Sequence, residues 1–167
     1  GVGPGGKPLK IEIRYNTNEN HKKVATAIAD MWKNTLGAEV TLLNTDVKTH
    51  YNHLQSQGDF DVARAGWVAD YADAQNYLYL GKTGNAVGNY ARYSNPEFDA
   101  VLKKSDETLD PAARAKLLKE AEAILLRDMP MIPLMYTAAL HLVSPKVKGW
   151  VDNVQNEHRS QYLRIER

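Results

Sequence analysis

Leu9, Ile11, Ile13 and Tyr15 alternate with Lys10, Glu12 and Arg14. A period of two places the four apolar side chains on one face of a strand. Asn16 to Asn20 supplies turn residues and candidate helix caps. Val24, Ile28, Met31, Trp32 and Leu36 then recur at helical spacing, predicting a helix with an apolar stripe that Gly37 ends. Val40 to Leu43 predicts a second strand, residues 46–57 a more polar helix stopped by Gly58, and Phe60 to Trp67 a third strand. Strand–helix–strand–helix–strand is the order of a parallel sheet with helices packed on it.

Residues 68–93 break the pattern, being rich in Tyr, Asn and Gly, and predict a long loop of the kind that carries function. Ser94-Asn95-Pro96-Glu97 marks a helix start with a cap, a first-turn Pro and a capping-box Glu, ahead of Phe98, Val101 and Leu102. Asp110-Pro111 opens another helix. Leu117, Leu118, Ala121, Ile124, Leu125 and Met129 form its buried stripe, and Pro130 ends it. Residues 131–144 are apolar and strand-compatible until Pro145 and Gly149. The tail 150–167 is polar, with a weak strand signal at Tyr162 to Ile165.

Composition narrows the possible functions. The 167 residues are 43% hydrophobic and 25% charged, a globular profile. A net charge of +1 with dispersed Lys and Arg gives no basis for a nucleic-acid or acidic-membrane surface. The absence of cysteine excludes disulfides and thiolate metal sites. No apolar run has the length of a membrane-spanning helix. Residues 1–8 hold four Gly and two Pro and predict a flexible lead-in, the composition of a linker within a longer chain.

Motifs that suggest chemistry lack their context. Gly81-Lys82-Thr83 ends like a phosphate-binding loop, but Asn76 stands where the first Gly belongs and Gly84-Asn85 follows instead of a helix. His50 and His53 share a helix face, where two imidazoles without further ligands make a poor metal site, so a solvated polar face is expected. Neither G-x-S-x-G nor S-x-x-K is present. Asp61, Asp70 and Asp73 are the only carboxylates clustered in aromatic, loop-like sequence, without an evident base or orienting partner.

The stretch Asp59-Phe60-Asp61-Val62-Ala63-Arg64-Ala65-Gly66-Trp67-Val68-Ala69-Asp70-Tyr71 stands apart. A strand runs into Arg, Gly and Trp and delivers an Asp just past its carboxyl end, where ligands gather in open α/β sheets. Gly66 admits a close backbone approach. Arg64 suits a carboxylate and Asp70 an ammonium. The bland alternative is a plain ion pair from Arg64 to Asp61 or Asp70.

That stretch resembles the family-5 extracellular solute-binding proteins of ATP-driven transporters, in particular their oligopeptide-binding type. The likeness extends to Tyr15-Asn16-Thr17 with His21-Lys22-Lys23, to Ala91–Ala100 around Tyr93-Ser94-Asn95-Pro96-Glu97-Phe98-Asp99, to Glu120-Ala121-Glu122 through Pro130-Met131-Ile132-Pro133-Leu134, and to Val143, Lys146, Gly149 and Trp150. It implies one lobe of a type II periplasmic binding protein, an α/β fold with a mostly parallel sheet and flanking helices. The implied division is a lead-in at 1–8, the C-terminal lobe at 9–155 and a tail at 156–167 crossing back to the other lobe.

The resemblance implies capture of short extended peptides, without catalysis or cofactor. Asp70 would take the ligand's α-ammonium, and Arg64 and His21 its carboxylate. Backbone at Gly66 and Val68 would pair with the peptide, and Trp67 would wall a side-chain pocket. Ala65, Ala69 and Tyr71 complete the strand end. Implied partners are short peptides, the missing N-terminal lobe and the membrane permease of an ABC transporter, in the periplasm or at the cell surface, with no nucleic acid. Relatives that take dipeptides, cell-wall peptides, haem or nickel complexes are the near alternative, and a stand-alone α/β enzyme domain the distant one. The family's Asp-Tyr-Asn-Glu-Pro run stands here as Asp70-Tyr71-Ala72-Asp73-Ala74.

Overall fold

The computed structural model describes residues 3–56 and 58–166. The chain divides into two compact units. The first holds the chain up to Gly66 together with Ala86–Arg92; the second holds Trp67–Asn85 and the chain from Tyr93 onward.

In the first unit, β1 (Lys10–Asn16), β2 (Glu39–Thr45) and β3 (Val62–Ala63) form a parallel sheet in the order β2-β1-β3. The crossovers that parallel pairing demands are α1 (Glu19–Leu36) and α2 (Val47–Ser56). β1 is central and supplies the buried Ile13 and Tyr15, which meet Ala25 of α1, with Ile28, Ala29, Trp32, Val40 and Val62 packed around them. Asn18 caps α1 by accepting from the N–H of Asn20 and His21, and Gly37 closes it in the left-handed region at φ 60°, where a Cβ is disfavoured.

Two expectations change here. The predicted stripe of α1 holds in part: Ile28 and Trp32 pack on the sheet beside Ala25 and Ala29, while Met31 and Leu36 stand exposed. The third strand is only two residues long, because β3 pairs with β1 at Ile13 and Arg14 alone. Within the lead-in, residues 3–8 include a short 3-10 turn in which Gly3 N–H donates to the Lys7 carbonyl at 2.7 Å.

The second unit is helical at its centre. α4 (Pro96–Asp106) and α5 (Pro111–Asp128) pack with α3 (Ala74–Leu78) around Leu78, Phe98, Leu102, Leu118, Ala121, Ile124 and Leu125. Each large side chain fully buried there contributes about 1.5–3 kcal/mol. Residues 68–93 are therefore not wholly irregular: Asp73 caps α3 by accepting from Gln75 N–H, and a 3-10 turn follows at Tyr79–Gly81. The cap of α4 is Asn95, and Glu97 does not close a capping box but pairs with Arg127 at 3.1 Å. Met129 leaves the predicted stripe of α5 and becomes its exposed left-handed cap.

Residues 131–144 form neither strand nor helix, and Ile132, Leu134, Met135, Tyr136, Leu140 and Leu142 are exposed. Their strand pattern finds no pairing partner among the described residues. The weak signal near the end is real, as β5 (Arg164–Ile165) pairs antiparallel with β4 (Val147–Lys148).

Candidate functional site

The carboxyl end of central strand β1 places Asn16 at a focus of the first unit. Asn16 is 7% exposed. Its carbonyl accepts from His21 Nδ1 at 3.3 Å, and its Oδ1 accepts from Arg64 Nη1 at 3.4 Å. Arg64 Nη1 also donates to the Tyr51 hydroxyl at 3.4 Å. The structure thus brings together two of the expected site residues, His21 and Arg64. Burial lowers the His21 pKa, the Arg64 guanidinium pushes it the same way, and the Asn16 carbonyl pulls back.

The main chain at Arg64 is held on both sides. Its N–H donates to the Arg14 carbonyl at 2.7 Å, and its C=O accepts from His50 Nε2 at 2.8 Å. His50 is therefore no solvated surface residue: it is 0% exposed and lies edge-on to Tyr51. Desolvation lowers its pKa first, the Arg64 carbonyl raises it, and the Arg14, Arg64 and His21 charges lower it further. Asp61 accepts from Glu12 N–H at 2.9 Å and does not pair with Arg64, so the bland alternative fails on that side. Ala65 and Gly66 are exposed. A Cβ on Gly66 would come within 3.0 Å of the Arg64 guanidinium, so a larger residue there would nudge that flexible side chain aside.

In the second unit the focus is Asn76 on α3, 6% exposed. Its Oδ1 accepts from Trp67 Nε1 at 2.7 Å and from Asp70 N–H at 3.1 Å, and its Nδ2 donates to Asp70 Oδ2 at 3.2 Å. Asp70 is exposed, and among the described residues its Oδ1 has no hydrogen-bonding partner. Tyr71 is exposed with its hydroxyl on Gln75 Oε1; Val68 is exposed and Ala69 buried. The N–H and C=O of Gly66 and of Val68 are likewise unengaged among the described residues.

α3 is anchored by the bidentate pair of Arg114 Nη1 and Nη2 with Asp73 at 2.6 and 3.0 Å. The guanidinium holds the Asp73 carboxyl below its ordinary range. Lys82, the lysine of the apparent phosphate loop, bonds the Tyr79 hydroxyl at 3.0 Å, and no helix follows it before α4. Among the described residues no group of three or more His, Asp or Glu gathers as a metal site. Asn16, His50 and Asn76 are the residues that sequence reasoning missed. Only the Asp73 cap of α3 carried a local signal, the Asp-x-x pattern that opens a helix.

A family model described as bacterial extracellular solute-binding proteins, family 5 (middle), matches residues 1–89. The chain belongs to this family. It is 43% identical over 155 residues to the periplasmic oligopeptide-binding protein OppA of Haemophilus influenzae, covering 90% of this chain and 28% of that relative. Among solved structures, the murein tripeptide-binding protein MppA of Escherichia coli superposes with a TM-score of 0.89 at 37% identity, over 99% of this chain and 32% of that one. The Haemophilus influenzae OppA complex with the peptide RPPGFSPFR gives 0.86 at 42% identity, over 95% of this chain and 31% of that one. The chain thus spans less than a third of the length of each of these three.

Proposed function

We propose that this chain is the amine-gripping portion of a periplasmic binding protein that captures short peptides in extended form and hands them to the membrane permease of an ATP-driven importer. No catalysis is involved. The observation that carries this reading is Asp70: an exposed carboxylate with one oxygen held by Asn76 and the other free to accept from an ammonium. The oligopeptide-binding and murein peptide-binding relatives support the ligand class. Ligands without an amino group, such as haem or a bile acid, offer Asp70 no counter-charge.

Free main-chain groups at Gly66 and Val68 suit strand-like pairing with a peptide backbone, which gives affinity without side-chain selectivity. Arg64 and His21 serve the ligand's carboxylate, and Trp67 walls a pocket, with Ala65, Ala69 and Tyr71 around it. A charge-assisted bond contributes about 1.5–3 kcal/mol net, and a buried unmatched charge costs at least as much, so the charged ends set the register.

The N-terminal lobe of the parent protein supplies the opposite wall. Residues 9–155 form the C-terminal lobe, and 156–167 lead back toward the other. The exposed apolar run from Ile132 to Leu142 supports a partner surface that covers it, because a patch of that kind marks an interaction site. Alone, this chain binds peptides weakly or not at all.

The test is calorimetry on the full-length parent with one tripeptide in free and N-acetylated form. Acetylation removes the ammonium and is expected to weaken binding by about a hundredfold. Equal affinities would refute amine recognition.

A further inference from the structure

We propose that Asn76 is the positioning residue for amine recognition, fixing the Asp70 carboxylate and the Trp67 ring through a single side-chain amide. The inference rests on the peptide-binding reading above and goes one layer behind it.

A primary amide offers two lone pairs on oxygen and two N–H groups on nitrogen. Asn76 spends both lone pairs on protein N–H donors, Trp67 Nε1 at 2.7 Å and Asp70 N–H at 3.1 Å. Two converging donors fix which way the amide faces, since a flipped NH2 would point its hydrogens at them. With the oxygen so placed, Nδ2 is committed to the Asp70 side and donates to Oδ2 at 3.2 Å. One side chain therefore holds the backbone and carboxylate of Asp70 and the indole of Trp67. It does so at 6% exposure, where water competes little for these bonds.

The position of Asn76 is itself inherited. α3 is five residues long, too short to be stable alone. Asp73 caps it through Gln75 N–H at 2.8 Å and is clamped by Arg114 of α5. The order of support runs from α5 through Arg114 and Asp73 to α3, then through Asn76 to Asp70. A carboxylate already held by one oxygen loses less rotational freedom when it meets an ammonium, and this preorganisation is what Asn76 adds to affinity.

The experiment is a double-mutant cycle in the full-length parent, read as the affinity ratio between the free and N-acetylated tripeptide. Asn76→Ala is expected to lower the free-to-acetylated affinity ratio by about tenfold, while the loosened Trp67 wall weakens both peptides alike and leaves the ratio unchanged. Equal weakening of both would overturn the proposal, since a damaged fold does not distinguish them. In an Asp70→Ala background, Asn76→Ala is expected to change that ratio little, because its effect on the amine acts through Asp70; an undiminished further fall in the ratio would overturn it.

The two readings fail separately. If Asp70→Ala leaves the preference for the free amine intact, amine recognition itself has failed. If Asp70→Ala abolishes the preference and Asn76→Ala does not, only the role of Asn76 has failed. Should Asn76→Ala not fold, the wild-type protein with isotope-labelled asparagine answers the question by NMR. The Asn76 side-chain amide signals then shift at saturation with the free peptide and hold still with the acetylated one. Equal shifts with both would overturn the proposal.

Discussion

Asn16 and Asn76 each lie almost out of water, and each gathers two of the side chains proposed to meet a peptide, yet they grip them differently. Asn76 makes bonds of 2.7, 3.1 and 3.2 Å to Trp67 and Asp70. Asn16 reaches His21 and Arg64 at 3.3 and 3.4 Å, near the outer limit of a hydrogen bond. The contrast is one of arrangement: Asn76 makes all three bonds through one side-chain amide, whereas Asn16 meets His21 with its main-chain carbonyl and Arg64 with its side-chain oxygen. Burial first, and repulsion from the Arg64 guanidinium second, lower the His21 pKa. On the proposed reading the amine end would be held more tightly than the carboxylate end, as suits guests that share an amino terminus but differ in length.

The largest expected effect tests that asymmetry directly. Asp70→Ala in the parent protein should cost about a hundredfold or more in affinity for every free-amine peptide from two to five residues. Arg64→Ala should cost less and by an amount that changes with peptide length, because the carboxylate lands elsewhere on each guest. Calorimetry over the length series reads both. A constant loss for Arg64→Ala across all lengths would abolish the distinction between a fixed and an adjustable end.

Next in size is the support behind α3. Arg114→Leu removes the bidentate partner of Asp73, and both side chains are only 29% exposed, so more is lost than at an open surface. Destabilisation of about 1 kcal/mol and a several-fold loss of free-amine affinity are expected, read by thermal unfolding and calorimetry. An unchanged affinity would show that α3 keeps Asn76 in place without the Arg114–Asp73 pair.

These contacts mark the limit of what the sequence disclosed. β1, α1, β2 and α2 were legible because alternation, helical spacing, the Asn18 cap and the Gly37 stop all agree locally. Ala25 and Ala29 were not, since small residues carry little weight in an apolar stripe that Met31 and Leu36 seemed to complete. His50 sits among Lys48, Thr49, Asn52 and His53 and has the pattern of a polar face. Only the Arg64 carbonyl, brought to it by tertiary structure, explains its burial. Asp70 and Arg64 were singled out by their place at a strand end and His21 by family resemblance, and their part in binding is the proposal made above. Asn76 entered only as the residue that spoils a phosphate-loop pattern, because a hub of three hydrogen bonds leaves no periodic trace.

The two regions should also part company with pH. His50 and His21 both titrate below their ordinary value of 6.5. The unfolded chain then binds protons more readily than the folded one as pH falls through that value. Their contribution to stability is full above it and is lost progressively below it. In the second unit Asp73 is held below its ordinary 3.8, so its contribution is present above that pH and lost only in stronger acid. Thermal unfolding from pH 7 to 5 is expected to lower Tm by a few degrees in the parent and by less in His50→Leu, measured against each protein's own value at pH 7. Parallel slopes in the two proteins would remove His50 from this account.

The smallest effect is the most pointed. Tyr51→Phe deletes the hydroxyl that accepts from Arg64 Nη1 at 3.4 Å and leaves the ring beside His50 and Tyr90 in place. A bond of that length, with Asn16 Oδ1 as a second acceptor on the same nitrogen, contributes little. Stability should change by no more than about 0.5 kcal/mol and affinity by less than about threefold at any peptide length. Calorimetry with the series used for Arg64→Ala is the check. A tenfold loss confined to one length would mean that Tyr51 holds Arg64 at a set reach, and that the carboxylate end is as firmly aimed as the amine end.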